Sequence, residues 1–219
     1  MDITLIQSHL KNYGFWATVY DIGYRGVNRI LRYDSLRGIW ISFSNLNKKY
    51  LEAPPQFEAR FLSQQEIASL ARDPESHVSA PFAEIALAKD DECYAIFDGA
   101  RIASFGWYSQ KPTLYQPRLT LHFDSSYVYM YHGYTFPEYR GKRLHAVGMS
   151  RALKAYSDRG CKGLVSVVES NNLESLRSCY RMGYKVFGNL RVLGLFDKLW
   201  TFQGRGCKAY NFSLETTPQ

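Results

Sequence analysis

The stretch Gly133-Tyr134-Thr135-Phe136-Pro137-Glu138-Tyr139-Arg140-Gly141-Lys142-Arg143-Leu144-His145-Ala146 decides how this chain reads. Before it, residues Tyr127 to Tyr134 have the composition and alternation of a strand. After it, Ala146, Met149, Leu153 and Tyr156 form one stripe of a helix over about 142–158, which Arg159-Gly160 closes. Between the two, a Pro turn and a basic, glycine-containing loop open the helix. The first turn of a helix leaves N–H groups unpaired and carries the positive end of the dipole, so it accepts an anion. Arg140, Lys142 and Arg143 add charge there. A basic run alone reads as a solvated turn. Its position between strand and helix makes a phosphate site the better reading.

The charge distribution agrees. Net charge is +7 over 219 residues, from 27 Lys+Arg and 20 Asp+Glu. Residues 1–60 carry 8 basic and 5 acidic groups, residues 61–130 carry 5 and 9, and residues 131–219 carry 14 and 6. The excess therefore lies in the loop and the C-terminal part of the chain. With 46% hydrophobic and 21% charged residues the chain has a globular composition, and its length suits one sizeable core. Cys93, Cys161, Cys179 and Cys207 lack the spacing of a zinc site or a disulfide framework, so no metal is expected. No apolar run approaches the roughly 18 residues of a membrane span. Met1-Asp2-Ile3-Thr4 does not begin a signal peptide, which makes a reducing cytoplasm the expected setting. No nucleic-acid reader motif is present.

Working outward, residues 1–37 read as mixed and partly helical around Asn28-Arg29-Ile30-Leu31-Arg32-Tyr33, and Gly38 to Phe43 as a strand. Ser63-Gln64-Gln65-Glu66 is a capping box before a helix over about 64–72, with Leu62 and Ile67 placed as a staple. Pro81 to Lys89 predicts a short helix. Cys93–Phe97 and Arg101–Trp107 flank a turn at Asp98-Gly99. Strands are expected at 118–123 and 163–168, then a helix from Asn171 to Met182 closed by Gly183, and strands at 184–195 and 199–212. Tyr127 to Val168 is a strand–helix–strand unit, so its two strands should run parallel.

Pro137-Glu138-Tyr139-Arg140-Gly141-Lys142 resembles the acyl-donor loop of the GNAT (GCN5-related N-acetyltransferase) superfamily, written R/Q-x-x-G-x-G/A. Asn172 to Tyr184 resembles the family's later N-x-x-A/S…G-F/Y helix. The two glycine positions nearest the pyrophosphate fall on Arg143 and His145, and both depart from the pattern. The resemblance covers roughly residues 60–212. It implies an α/β (α+β) GNAT fold, a mixed and mostly antiparallel sheet around a central parallel βαβ unit with flanking helices. It divides the chain into an N-terminal extension packed on the core, residues 1–60, and an acyltransferase domain, residues 61–219.

The resemblance further implies acetyl-CoA as donor, with Tyr134, Thr135, Arg140, Gly141, Lys142, Arg143, Leu144, His145 and Asn172 as binding residues, and an amine acceptor attacking directly. The family's general-acid position falls on Cys179, with Tyr180 next to it. Asn172 and Cys179 are about two helical turns apart and share a face, whereas Tyr180 is turned about 100° away. No carboxylate stands at Tyr129, the family's usual base position. His132 and Glu169 are the substitutes, and His132 needs a β-bulge to point inward. Tyr129 and Tyr131 share a strand face that suits either a core or an acceptor pocket. Two rival readings stay open: a long-chain acyl group delivered as acyl-phosphopantetheine by acyl carrier protein, or as acyl-CoA; and a GNAT-fold binding module without catalysis. Residues 1–60 either shape acceptor choice or mediate a homodimer.

Overall fold

The computed structural model describes residues 3–28, 31–196 and 198–216. In chain order the helices are α1 (Ile3–Tyr13), α2 (Phe15–Val27), α3 (Gln64–Leu70), α4 (Ala80–Ala88), α5 (Leu144–Asp158) and α6 (Leu173–Met182). The strands are β1 (Arg32–Ile41), β2 (Phe57–Phe61), β3 (Glu92–Asp98), β4 (Arg101–Ser109), β5 (Thr113–Gln116), β6 (Leu119–His122), β7 (Tyr127–Thr135), β8 (Gly163–Glu169), β9 (Lys185–Leu195), β10 (Lys198–Gln203) and β11 (Ser213–Thr216).

The capping box forms as the sequence dictates. The Ser63 hydroxyl accepts from the Glu66 N–H, and the Glu66 carboxylate accepts from the Ser63 N–H. Leu62 and Ile67 are both buried behind it. Arg60 clamps the same carboxylate, and together these donors hold Glu66 near pKa 2. Gly183, with φ 110°, closes α6 at a place where its missing side chain lets the backbone press on the Asn45 carbonyl.

Eight strands form one sheet in the order β10-β9-β1-β8-β7-β4-β3-β2. All pairs are antiparallel except β7 and β8, which run parallel with α5 as the crossover. This is the mixed, mostly antiparallel α/β architecture expected. A second sheet, β11-β6-β5, covers one face of the first: Leu119, Leu121 and Leu214 pack on Leu36, Val165 and Val192. α5 and α6 cover the other face, where Met149, Leu153, Cys179 and Met182 meet Ile39, Ile41 and Leu164. α3 and α4 pack on β2–β4 through Ile67, Leu70, Ala83 and Ala86.

Several elements differ from expectation. Arg29 and Ile30 lie outside the described residues, as do Met1 and Asp2. Arg32 and Tyr33, expected to be helical, begin β1. That strand lies inside the sheet between β8 and β9, with Leu36 opposite both Glu169 and Leu190. A boundary at residue 60 therefore puts a central strand on the extension's side and cuts β2. The strand expected over 199–212 breaks after Gln203, and Arg205–Tyr210 form a 3-10 turn. Gly206 allows this, because its bare Cα sits against the Phe187 carbonyl of β9.

Candidate active site

The site begins where β7 and β8 part. Their parallel pairing covers only Tyr127–Tyr129 against Gly163–Val165. Beyond it, β7 pairs with β4 alone and β8 with β1 alone. The Ser166 hydroxyl donates to the Met130 carbonyl at 2.8 Å at the point of divergence. Past that bond, the edge of β7 that turns away from β4 has no strand partner among the described residues. Opposite β4, Gly106 pairs with Gly133 but Tyr108 pairs with Met130. β7 spends one extra residue there, a bulge at Tyr131–His132. This is the bulge that His132 requires.

Two cavities meet at the gap. One, about 600 Å³, is bordered by Lys49, Tyr50, Thr135, Arg140, Gly141, Arg143, Leu144, His145 and Arg181. The other, about 590 Å³, passes through the gap and is bordered by Phe82, Tyr115, Tyr129, Tyr131, His132, Ser166 and Cys179. His145 and Ser178 border both and mark the neck between them.

At the first cavity α5 begins without a side-chain cap. Its N-cap, Arg143, has φ 61°, a left-handed conformation that costs a non-glycine residue roughly 1 kcal/mol. The loop thus holds a conformation that suits glycine and places a guanidinium on it. Arg140 donates to the Thr135 carbonyl at 3.3 Å. The four cations Lys49, Arg140, Arg143 and Arg181 come from three separate parts of the chain. With the open N–H groups of α5 they fit a phosphate-bearing donor.

His145 departs from the family pattern in the opposite way. Its ring fills space against β7 that is free only because residue 133 is glycine: a β-carbon there would collide with His145 and Met130. Enclosure pushes its imidazole down to about 4, so it is neutral. In the second cavity His132 is also held below 6.5, by burial and by His77. Its Nε2 is buried without a hydrogen-bond partner among the described residues. Cys179 is 9% exposed, and burial raises its thiol to about 11. It stays protonated but is a weaker acid than an ordinary thiol. Tyr131 donates to Asp91 at 2.6 Å, and Lys89 neutralises that buried carboxylate at 3.0 Å.

Other expected residues stand elsewhere. Lys142 turns toward the Tyr139 ring, 5.0 Å away. The Tyr134 side chain packs among Phe105, Phe136 and His77. The Asn172 side-chain Oδ1 caps α6 by accepting from the Ser175 N–H. Tyr180 is 46% exposed and borders neither cavity. Glu169 points to the opposite face of the sheet from α6, beside Leu36. Lys49, Ser178, Arg181, Tyr115 and Asp91 were not foreseen. Glu174, Ser178 and Arg181 do fall on one helical face, a signal for that wall that was available in the sequence.

Fold and site together define a mixed α/β protein with a cation-lined groove opening into a split sheet. Residues 56–184 match the model of the acetyltransferase (GNAT) family, and the chain belongs to that family. Among solved structures it is similar to a GCN5-related N-acetyltransferase-like protein from Streptococcus suis 89/1591, with TM-score 0.51, 14% identity, and coverage of 94% of this chain and 69% of that one. It is also similar to a tandem GNAT protein from the clavulanic acid biosynthesis pathway, with TM-score 0.52, 12% identity, and coverage of 84% and 58%. A GCN5-related N-acetyltransferase from Sphaerobacter thermophilus gives TM-score 0.50, 11% identity, and coverage of 85% and 56%. The chain thus spans little more than half the length of the last two. These likenesses concern the fold. No curated protein matches the sequence. No described helix is long and apolar enough to cross a membrane, and no described cluster of His, Cys, Asp and Glu could hold a metal ion.

Proposed function

We propose that this protein moves an acetyl group from acetyl-CoA to a primary amine by direct attack. One observation carries the reading: a four-cation cavity at an open helix N-terminus joins an apolar cleft through the split between β7 and β8. The donor supplies the thioester. Arg140, Arg143 and the α5 N–H groups hold its phosphates, and Lys49 and Arg181 extend the charge further. This spread of cations favours the several phosphates of CoA over the single phosphate of a carrier-protein arm. The free edge of β7 accepts the extended arm as an added strand and brings backbone N–H groups toward the thioester oxygen. His132, neutral and unpartnered in the cleft, takes the proton from the attacking amine. The Cys179 thiol donates a hydrogen bond to the departing sulfur, and water at the cleft supplies the proton.

The test is calorimetric titration of acetyl-CoA into the wild type and into Arg140→Ala/Arg143→Ala. Two charged contacts at about 1.5 kcal/mol each predict a loss of roughly 100-fold in affinity. Unchanged affinity overturns the phosphate assignment.

A further inference from the structure

Helix α2 is anchored along its inner face. Thr18 and Asp21 are buried there. The Asp21 carboxylate accepts from the Asn171 amide at 3.3 Å, and the Tyr20 hydroxyl bonds to the Ser170 hydroxyl at 2.7 Å. The outer face has no cover among the described residues. Two neighbouring lines of side chains run along it: Phe15, Val19, Ile22 and Gly26, and beside them Trp16, Tyr20, Gly23 and Val27. All eight residues are exposed, Trp16 by 80% and Phe15 by 62%. The charged residues of α2, Asp21 and Arg25, are turned away from this face and pair with each other at 2.8 Å. None of the eight borders either site cavity.

Three features of the face specify what covers it. The first is scale. With about 150–250 Å² per aromatic side chain, it leaves on the order of 600 Å² of mostly apolar surface to water. The largest patch of a typical monomer is about 300–600 Å², and each partner of a standard interface contributes about 800 Å². The second is the order of sizes. Phe15, Trp16 and Tyr20 fill the first half of the helix, and both glycines stand in the second. A β-carbon at Gly23 or Gly26 would meet nothing within 4 Å, so neither makes room for another part of this chain. Each weakens the helix relative to alanine, and what the two leave is a shallow seat. The third is the lack of free cations. A helix that lies on an anionic lipid surface carries Lys and Arg beside its apolar face, whereas α2 has only Arg25, already paired.

An antiparallel match of this helix with itself brings the bulky half of each copy onto the glycine half of the other. We infer that the outer face of α2 is the interface of a homodimer, two copies of this chain related by a two-fold axis across the middle of the helix. Trp16 then lies over the partner subunit's Gly26, and Val19 over the partner subunit's Gly23. The glycines let the two backbones approach to the short end of helix packing distances, about 8 Å. The contact is isologous, so each copy supplies and receives the same knob and the assembly closes at two. The inference stands apart from the acyl-transfer reading.

Sedimentation velocity of the full chain from about 1 to 100 μM tests this, since association shifts by mass action. The wild type should form a species of twice the chain mass. Trp16→Glu should weaken association about tenfold or more. Gly26→Leu adds apolar area and suits a helix better than glycine, yet it should weaken association comparably by filling the seat of Trp16. Its new side chain starts in open space, so thermal melts should find it at least as stable as a monomer. A wild type that stays monomeric throughout the range, or a dimer that survives either substitution, overturns the inference. Flotation of a monomeric wild type with phosphatidylglycerol vesicles would overturn it too and assign the face to a membrane.

Discussion

The two ends of the groove are built on opposite principles. The end proposed to hold the donor is a cluster of full charges and open backbone N–H groups around Arg140, Arg143, Lys49 and Arg181. The end proposed to hold the thioester carries titratable groups that burial keeps neutral, His132 and Cys179, and His145 at the neck is neutral too. Charge acts over a Debye length of about 10 Å and tolerates displacement. A neutral base or thiol acts only at contact, and only while its surroundings stay dry. Changes at the first end should therefore cost affinity, and changes at the second should cost rate.

The sharpest way to break that contrast is His132→Gln. Loss of a general base predicts a fall in kcat of roughly 100-fold with donor affinity retained. The wild-type profile of kcat against pH should have its acidic limb below pH 6.5, where His132 becomes protonated, and the variant should lack that limb. A large loss of donor affinity instead would mean that the ends are not separate.

The neck between the ends comes next. Gly133→Ala drives a methyl into His145 and Met130 and should cost about 2 kcal/mol in denaturant melts. His145→Ala in the same chain should recover most of it, because the two residues fill one space. The neutrality of His145 has its own signature. Its imidazole titrates near 4 in the fold and near 6.5 when unfolded. Below pH 6.5 the unfolded chain gains a proton that the native state refuses, so stability falls as pH drops from 6.5 toward 4. The loss is about 1–2 kcal/mol, allowing for solvent in the cleft. His145→Gln should flatten that slope in thermal melts recorded across the range.

The smallest effect is expected from Cys179→Ser. A thiol held near 11 transfers its proton to a thiolate only uphill, so kcat should stay within about threefold. A larger drop would make Cys179 the acid and give the thioester end a second proton carrier.

How far the chain could be read depends on how local each feature is. The donor loop was legible because a strand end, a Pro turn and a helix start lie within fourteen consecutive residues. The capping box at Ser63 and the closures at Gly160 and Gly183 were legible for the same reason. The position of Lys49 was not, since a 3-10 turn far from the loop in sequence brings it there. Nor was the bulge that aims His132. It arises from register against β4, which alternation within β7 cannot reveal. The strand character of Gly38–Ile41 was visible, but its two partners were not, because pairing over such separations leaves no local mark.

That last strand has a consequence for how the molecule comes into being. β1 leaves the ribosome before both of its partners, and β8 begins more than 120 residues after β1 ends. At roughly 5–20 residues per second, Leu36 and Ile39 wait on the order of ten seconds with both strand edges bare. β2, β3 and β4 can pair as they emerge, whereas the middle of the sheet must wait for β1 to be recaptured from a distance. Closure of so non-local a ladder is slow. For this protein the hazardous interval in synthesis is the one before β9 arrives, and a chain released within it would expose an apolar strand meant for the centre of a sheet.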